Sequence, residues 1–467
     1  MSPSATGSKT IGHSFHPRFT YPIFGDSEEI FGYQDLEINL QYNASDMRPN
    51  LSVSYSKKFP AVGETEATDI DGILHEFLPD VAFQKKTDFE GSIKNLRGDW
   101  TPPGELDTTF TSHGNTFEVW RGNLADPAVK QLVTRIQILV PLFIEGGSAI
   151  DVEDPDADRW TVFFLYQKKA VASDANSSPY VFAGYSTAYR FFAFRPPTPP
   201  LSPSEADLEK ATLAQDFDLS QLPCRSRISQ FIIVPLFQGK GLGPRLYSHI
   251  FQHYIDHPQT VEITVEDPNE AFDDLRDIAD LQYLRQLPEF QALHINTAVT
   301  IPKTGPAPNT IVDKTAWDAV RAKAKMAPRQ FARVLEMHLM SRLPEPVRPG
   351  IAPESSSSAA AGRATKEQEH EYRLWRLLVK KRIYRHNKDA LGELEIPERI
   401  QKLEETVSSV EFDYARLLIR GEEQRAEQLK VNGAVAAANG SAANGKRKAV
   451  EDGAETVSKR ARVEDDE

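Results

Sequence analysis

The sequence predicts an α+β protein, because strand-like and helical segments occupy separate stretches of the chain. Before residue 270, short runs such as "EINLQYNA" (37–44) and "GNTFEVWRG" (114–122) alternate with period two, as strands do. From about residue 270 onward, apolar residues recur mostly at helical spacing. Hydrophobic residues make up 40% of the 467 positions, which is enough for sizeable cores in two or three domains.

Residues 15–135 are predicted to form an N-terminal α/β domain, after a disordered segment at 1–14. Strand-like runs in this domain flank a short helix at 67–79. Four apolar residues share one face of that helix: Ile70, Ile73, Leu74 and Phe77. The following stretch, 128–148, begins as a helix and ends at two glycines, a natural helix stop.

Residues 136–300 are predicted to form a central domain that opens with a long β-hairpin, 159–169 and 179–194. A Pro/Ser-rich insert at 195–227 follows and is expected to be mobile.

The central domain then continues with a buried strand at 231–234 and an amphipathic helix from Pro244 to about His257. Its last strand, 259–268, alternates apolar and polar residues and ends at a proline.

The C-terminal part, 301–430, is predicted to be helical, with a disordered low-complexity linker at 344–366. The tail, 431–467, is expected to be disordered. It carries two basic clusters, 446–448 and 459–462, whose spacing suits a bipartite nuclear import signal. A charged tail without such a signal is the alternative.

Composition excludes several classes of protein. The single cysteine, Cys224, allows no disulfide within one chain and no zinc site built from several cysteines. No run approaches the roughly 20 apolar residues of a membrane span, and the N-terminus lacks the apolar core of a signal peptide. The net charge of −13 disfavours direct nucleic-acid binding and suits cationic partners, although solubility alone also explains it.

The stretch "FIIVPLFQGKGLG" (231–243) places three glycines between a strand and a helix. Amides at a helix N-terminus have no partner within the helix, and the helix dipole adds positive potential there. Glycines let the backbone approach a bulky ligand closely, and Pro244 suits the first helical turn. The turn therefore predicts a site for a diphosphate.

Three glycine motifs compete for this turn. A P-loop needs G-x-x-x-x-G-K-[ST], which is absent, and a dinucleotide-binding G-x-G-x-x-G fails because position 244 is proline. What remains is Q-x-x-G-x-G, formed by Gln238, Gly241 and Gly243, which is similar to the coenzyme A pyrophosphate loop of GNAT acetyltransferases. A glycine turn without function is the alternative for so short a motif.

Longer sequence segments make the resemblance more specific. "FIEGGSAIDVEDPDADRW" (143–160), "GYSTAYRFF" (184–192), "SQFIIVPLFQGKGLGPRLY" (229–247) and "EITVEDPNEAFDDLRD" (262–277) resemble the catalytic subunits of type B histone acetyltransferases. The resemblance covers most of residues 15–425 and implies a GNAT fold, with an N-terminal α/β domain and a C-terminal helical domain.

The resemblance also implies the co-substrate, acetyl-CoA, and no metal. It carries a set of cofactor-binding positions onto the central strand, the glycine turn and one further asparagine. These are Phe231, Ile232, Ile233, Gln238, Gly239, Lys240, Gly241, Leu242, Gly243, Pro244 and Asn269.

Acetyl transfer to lysine needs the neutral amine, which is only about one lysine in 2,500 at pH 7, so a general base is useful. In the resembling family the Glu of the E-D-P motif is that base, which implies Glu266. Asp267 and Glu145 are linked by the same resemblance to proton removal, and the amine attacks the thioester directly. A solvated strand end is the alternative for Glu266, because glutamates are usually exposed.

The resemblance further implies a groove for a histone tail. Carboxylates there would meet a basic tail, and aromatic faces favour cations; ordinary sheet core is the alternative for the aromatics. The implied residues are Asp26, Ser27, Glu28, Trp160, Tyr189, Arg190 and Phe191.

Taken together, the residues and this resemblance imply a lysine acetyltransferase for free, newly synthesised histone H4. The family implies a WD40-repeat histone chaperone as partner, a cytoplasmic and nuclear location, and roles in histone deposition, chromatin assembly, silencing and DNA repair. No membrane or direct nucleic-acid partner is expected. Two alternatives stay open: a GNAT enzyme for another protein or a small amine, and a non-catalytic histone-binding scaffold.

Overall fold

The computed structural model describes the backbone of two N-terminal strands and five longer ranges: residues 2–5, 9–10, 14–169, 178–192, 222–302, 307–350 and 363–426. Most of the predicted insert at 195–227, the centre of the linker at 344–366 and the whole tail at 431–467, with its import signal, lie outside them. Contacts divide the chain into two compact units, Met1–Ala279 with Asp318–Phe331, and Asp280–Trp317 with Ala332–Glu467.

Every strand in the described ranges lies in the first unit. In chain order they are β1 (Ser2–Ala5), β2 (Lys9–Thr10), β3 (Tyr33–Gln34), β4 (Glu37–Asn43), β5 (Pro49–Ser54), β6 (Lys57–Lys58), β7 (Glu105–Ser112), β8 (Asn115–Asn123), β9 (Trp160–Lys168), β10 (Tyr180–Phe192), β11 (Cys224–Ile233) and β12 (Thr260–Val265).

In the described part of the chain, six strands form the central sheet in the order β12-β11-β10-β9-β8-β7. Neighbours from β7 to β11 are antiparallel, whereas β11 and β12 run parallel. A second sheet has the order β2-β1-β4-β5, and β3 pairs with β6.

Helices lie between these strands along the chain and after the last of them. In chain order they are α1 (Tyr21–Phe24), α2 (Ile70–His75), α3 (Lys86–Lys94), α4 (Pro127–Ile136), α5 (Leu139–Phe143), α6 (Leu242–Asp256), α7 (Glu270–Leu284), α8 (Pro288–Gln291), α9 (Lys314–Lys323), α10 (Pro328–Arg342), α11 (Lys366–His386), α12 (Lys388–Gly392) and α13 (396–426). The prediction of an α+β protein is confirmed.

Strand β9 is the centre of the core of the first unit. Its residues from Val162 to Tyr166 are all 0% exposed, so both faces of the sheet are covered there. On one face Phe163 lies 6.2 Å from the ring of Tyr254 of α6; on the other, Tyr166 lies 6.0 Å from Trp100. Helix α6 buries the apolar stripe predicted for it, which therefore fixes the glycine turn against the sheet.

The second unit is helical, and its core holds a charged group. Trp375 is fully buried and donates to the carbonyl of Glu336 over 2.9 Å. The Glu336 carboxylate accepts from Arg382 at 2.9 Å to each oxygen and from the Tyr414 hydroxyl at 2.9 Å. Buried charge of this kind is tolerated only when its hydrogen bonds are satisfied.

Two sequence predictions need correction. Strand β11 begins at Cys224 rather than 231, so residues 224–227 do not belong to the insert, and Cys224 is a buried strand residue. The inward positions include polar Ser226 and Gln230, which hide the strand's apolar alternation. The segment 1–14, predicted to be disordered, contains β1, which pairs through its backbone with β4 and so needs no apolar pattern.

Candidate active site

The glycine turn connects β11 to α6 through two residues in the left-handed conformation. A short 3-10 turn, Pro235–Phe237, follows the strand, and Gly239 and Gly241 then adopt φ values of +72° and +67°. Gly241 is the N-cap of α6, which begins at Leu242. Because L side chains rarely take this conformation, the turn depends on glycine at both positions.

Side chains hold the carbonyl groups of this turn. Ser112, at the end of β7, donates to the Lys240 carbonyl over 2.9 Å, and the Gln238 amide donates to the Ile233 carbonyl over 2.7 Å. Lys240 itself donates to the Leu236 carbonyl over 2.7 Å. These bonds occupy three carbonyls in and before the turn. The first amides of α6 have no partner within the helix and can meet an anion.

Strands β11 and β12 separate before the chain reaches this turn. Their pairing ends at Ile228↔Val265, and the Glu266 amide donates to the Ile228 carbonyl over 2.9 Å. The predicted cofactor-binding residues Phe231, Ile232 and Ile233 lie beyond the last pair, on the diverging part of β11.

The N-terminus of α7 packs beside that diverging strand. The rings of Phe231 and Phe272 lie 5.0 Å apart, and a Cβ at Gly243 would come within 2.9 Å of Leu275. Asn269 accepts from the Phe272 amide over 2.9 Å, which caps α7 and leaves the side-chain NH₂ as the donor side. The structure thus brings β11, the glycine turn and Asn269 to one cleft.

Glu266 stands where the two strands part. Its carboxylate accepts a 2.6 Å hydrogen bond from Ser229, and Arg227 lies 3.9 Å from the other oxygen. Its side chain is 46% exposed. Asp267 follows with φ +31°, a left-handed conformation that turns the chain towards α7 and that Asp adopts more readily than most residues.

Glu145 lies on an exposed turn directly after α5. Buried Gln230 of β11 donates to the Ser148 carbonyl over 2.9 Å, and the Gly146 amide donates to the Tyr21 hydroxyl over 3.3 Å. The turn that carries Glu145 is therefore hydrogen-bonded, through Ser148, to Gln230. Ser229, the neighbour of Gln230 on β11, is the residue that donates to Glu266.

The predicted aromatic residues form one row across the sheet. Trp160 of β9 pairs with Tyr189 of β10, with 4.9 Å between ring centroids, and Tyr189 lies 4.6 Å from Phe191. The Arg227 guanidinium lies 4.5 Å from the Phe191 centroid. The face expected to receive a cation of the substrate therefore already carries one of the protein's own.

Two further arginines frame this row. Arg190 donates to the Asp158 carbonyl over 2.9 Å, and Arg159 donates to the Tyr189 hydroxyl over 3.3 Å. That hydrogen bond raises the pKa of Arg159, so the guanidinium stays charged.

Asp26, Ser27 and Glu28 form a separate group on the exposed turn after α1. Glu28 has φ +52°, and its carboxylate accepts a hydrogen bond from Thr20. Among the residues that the structure describes, no hydrogen bond or ring contact joins this turn directly to Trp160. The structure therefore places the predicted tail-binding residues in two groups.

Comparison with known proteins shows the family of this chain. Residues 2–145 match the family model described as histone acetyl transferase HAT1 N-terminus, and residues 277–343 match fungal HAT1, C-terminal. The chain is 54% identical to the histone acetyltransferase type B catalytic subunit of Neurospora crassa, over 99% of this chain and 96% of that protein. This chain belongs to that family.

Other subunits of the type B histone acetyltransferase family are also similar to it. The one from Gibberella zeae is 54% identical over 90% of this chain and 88% of its own length. The one from Aspergillus oryzae is 40% identical over 90% and 83%. The chain is therefore an acetyltransferase, which rejects the alternative of a non-catalytic scaffold.

The residues that support this type B acetyltransferase's site include several that sequence reasoning missed. Ser112, Ser229 and Arg227 contact predicted site residues, yet only Ser229 lies inside a quoted motif. In the described ranges, no group of three or more His, Cys, Asp or Glu could hold a metal ion, and no helix is long and apolar enough to cross a membrane.

Proposed function

We propose that this enzyme is a GNAT-fold lysine acetyltransferase that transfers acetyl from acetyl-CoA to the tail of free, newly synthesised histone H4. The observation that carries the proposal is the position of Glu266. It directly follows β12 at the point where β11 diverges, and β11 leads on to the turn of left-handed glycines at the start of α6.

The cleft residues fit acetyl-CoA by their chemistry. The amides from Gly239 to Gly243 and the positive end of α6 suit the diphosphate. The edge of β11 from Ser229 to Ile233, past its last pair with β12, offers backbone groups to the extended pantetheine arm. The Asn269 NH₂ adds a donor at the same cleft.

In the proposed reaction the lysine nitrogen attacks the thioester carbonyl, the C–S bond breaks and the thiol leaves. The Glu266 carboxylate takes the proton that the ammonium must lose, which general-base catalysis makes worth about 10²–10⁴-fold in rate. Ser229 fixes one carboxylate oxygen. The other oxygen, which lies 3.9 Å from Arg227, is the one that takes the proton. Asp267 and Glu145 add negative charge that favours the approach of a cation.

The proposed substrate follows from charge and shape. The turn of Asp26, Ser27 and Glu28 supplies carboxylates, and the row from Trp160 to Phe191 supplies aromatic faces for lysine and arginine stems. The relatives' names support a histone as substrate. We further propose a WD40-repeat histone chaperone as partner and a cytoplasmic and nuclear location.

Acetyl transfer from labelled acetyl-CoA to a histone H4 tail peptide tests this function. Glu266→Gln is expected to lower kcat by about 10²–10⁴-fold, while the Kd for acetyl-CoA stays within twofold. Glu262→Gln is the matched control, because Glu262 lies on the same strand but pairs with Arg225 at 2.9 Å. Its kcat should stay near that of the wild type.

Two results would reject the proposal in different ways. If Glu266→Gln retained full kcat, another group would be the base. If the wild type bound acetyl-CoA but modified an unrelated protein better than the H4 peptide, the substrate would be wrong and the transferase activity would stand.

A further inference from the structure

A cavity of about 330 Å³ lies in the N-terminal part of the first unit, outside the cleft of Glu266. Apolar side chains make most of its wall, and six of them are less than 9% exposed. These are Ile23, Leu40, Leu74, Leu78, Ile138 and Leu142. No step of the proposed reaction uses this cavity.

The size and lining of the cavity select its ligand. Protein interiors leave few voids larger than a water molecule, whose share of liquid volume is about 30 Å³. Ligand pockets begin at about 300 Å³, so this cavity stands at their lower end and has room for one large side chain. The six buried side chains are aliphatic and give a charged group no partner, so their part of the cavity fits an apolar group and not an ion.

Three exposed carboxylates, against one exposed arginine at Arg18, lie in or beside the segments that line the cavity. Glu28 lines it and is exposed, and Asp26 and Glu29 are exposed on the same turn. Thr20, which also lines it, donates a hydrogen bond to the Glu28 carboxylate. A basic segment is therefore attracted to the opening, whereas the interior takes an apolar side chain.

One segment connects this cavity to the turn of Glu145. The amides of Arg18 and Phe19 donate to the carbonyl of Leu142, a lining residue, over 2.9 and 3.2 Å. The Tyr21 hydroxyl accepts from the amide of Gly146, next to Glu145, over 3.3 Å. Residues 18–21 thus contact both the wall of the cavity and the turn that carries Glu145.

We propose that the cavity binds one apolar side chain, of the leucine, isoleucine, methionine or phenylalanine class, from the basic peptide that presents the acceptor lysine. This inference rests on the proposed function and adds a specificity pocket to it. The enzyme then prefers basic tails that carry an apolar residue at a fixed distance from the acceptor lysine.

The test uses the full chain and two sets of basic peptides with a single acceptor lysine. In the first set every position other than the lysine and the arginines is glycine or serine; in the second, one leucine is moved along the peptide. At one spacing, leucine should lower KM about tenfold and leave kcat unchanged. Peptide binding is also measured by fluorescence anisotropy without acetyl-CoA.

Filling the cavity should remove this preference. Leu51 lines it and is half-buried on β5, so Leu51→Trp should raise KM for the leucine peptide about tenfold and leave the leucine-free peptide unchanged. Ser52→Trp is the control, because the neighbouring side chain points to the opposite face of the strand. If Leu51→Trp fails to fold, Ile30→Phe, also half-buried in the lining, takes its place.

The outcomes separate the two proposals. Equal KM and equal binding for both peptide sets would overturn the pocket, while measurable transfer would still support the lysine acetyltransferase. No transfer to any peptide would reject the proposed function, and the anisotropy data would still decide the pocket. A leucine preference seen only after deletion of residues 1–13 would assign the cavity to the chain's own N-terminus, against the proposal.

Discussion

Ser229 donates a 2.6 Å hydrogen bond to the Glu266 carboxylate across the point where two parallel strands part. Ser229 is the first residue of β11 after its last pair with β12, and Glu266 is the first residue after β12 ends. This side-chain hydrogen bond thus extends the pairing of β11 with β12 by one residue. It fixes a carboxylate that would otherwise rotate freely at an exposed strand end.

Removing this bond should affect turnover more than substrate binding. We expect Ser229→Ala to lower kcat about tenfold, because one hydrogen bond to a charged group is worth about 1.5–3 kcal/mol and part of it is replaced by water. KM for the peptide and the Kd for acetyl-CoA should change less than twofold. Ser229→Thr keeps the hydroxyl and should recover most of the rate in steady-state kinetics.

The left-handed glycines predict a selective loss of acetyl-CoA affinity. At Gly241, φ is +67° and a Cβ would meet nothing within 4 Å, so Gly241→Ala adds backbone strain of about 1–2 kcal/mol and no clash. Relief of that strain moves the amides, and we expect the Kd for acetyl-CoA to rise about tenfold by calorimetry.

Gly63 offers a matched control for that experiment. It has φ +63° and equally open space, in a loop far along the chain from the glycine turn. Gly63→Ala should destabilise the fold by a similar amount and leave the Kd unchanged. A Kd that rose equally in both variants would show that the loss reflects general destabilisation.

Sequence alone could predict the parts of this protein whose signal is local. The apolar stripe of α6 and the glycine turn are readable because period and conformation are set by neighbouring residues. The start of β11 was missed because its buried face includes Ser226 and Gln230. The contact of Ser112 with Lys240 joins residues 128 positions apart, and no local pattern encodes it.

Resemblance proposed the residues of the candidate site, but it gave no information on their surroundings. The family resemblance implied Phe191 as a substrate-binding residue and Glu266 as the general base, without relating the two. Only the structure shows that Arg227 lies over the ring of one and 3.9 Å from the carboxylate of the other. Strand register, which places these side chains together, depends on pairings between distant parts of the chain.

The buried pair of Glu336 and Arg382 in the second unit predicts strong coupling between its members. Glu336 is 1% exposed, so Arg382→Met would leave an unpaired buried carboxylate and cost about 3–5 kcal/mol of unfolding free energy. The double variant Glu336→Leu with Arg382→Met should be more stable than Arg382→Met alone. Urea denaturation of all four proteins gives the coupling, and additive losses would contradict the prediction.

Acid should destabilise the second unit through His338. This imidazole is 6% exposed against the ring of Phe290 at 4.7 Å, and neither ring nitrogen has a hydrogen-bond partner among the described residues. Burial, with Arg285 and Arg342 nearby, lowers the pKa of His338 to about 4. Well above pH 6.5 the group is neutral in both states, so its titration does not change the unfolding free energy there.

Between pH 6.5 and 4 the unfolded chain takes up the proton first, so unfolding free energy falls as pH falls, by on the order of 2–3 kcal/mol in total. His338→Leu removes that proton uptake, and its urea midpoint should decline less between pH 7 and 4.5 than that of the wild type. His294→Leu, at an exposed position, should keep the wild-type decline. Parallel declines in the wild type and His338→Leu would show that acid acts elsewhere, such as at His253, whose pKa burial also lowers to about 4.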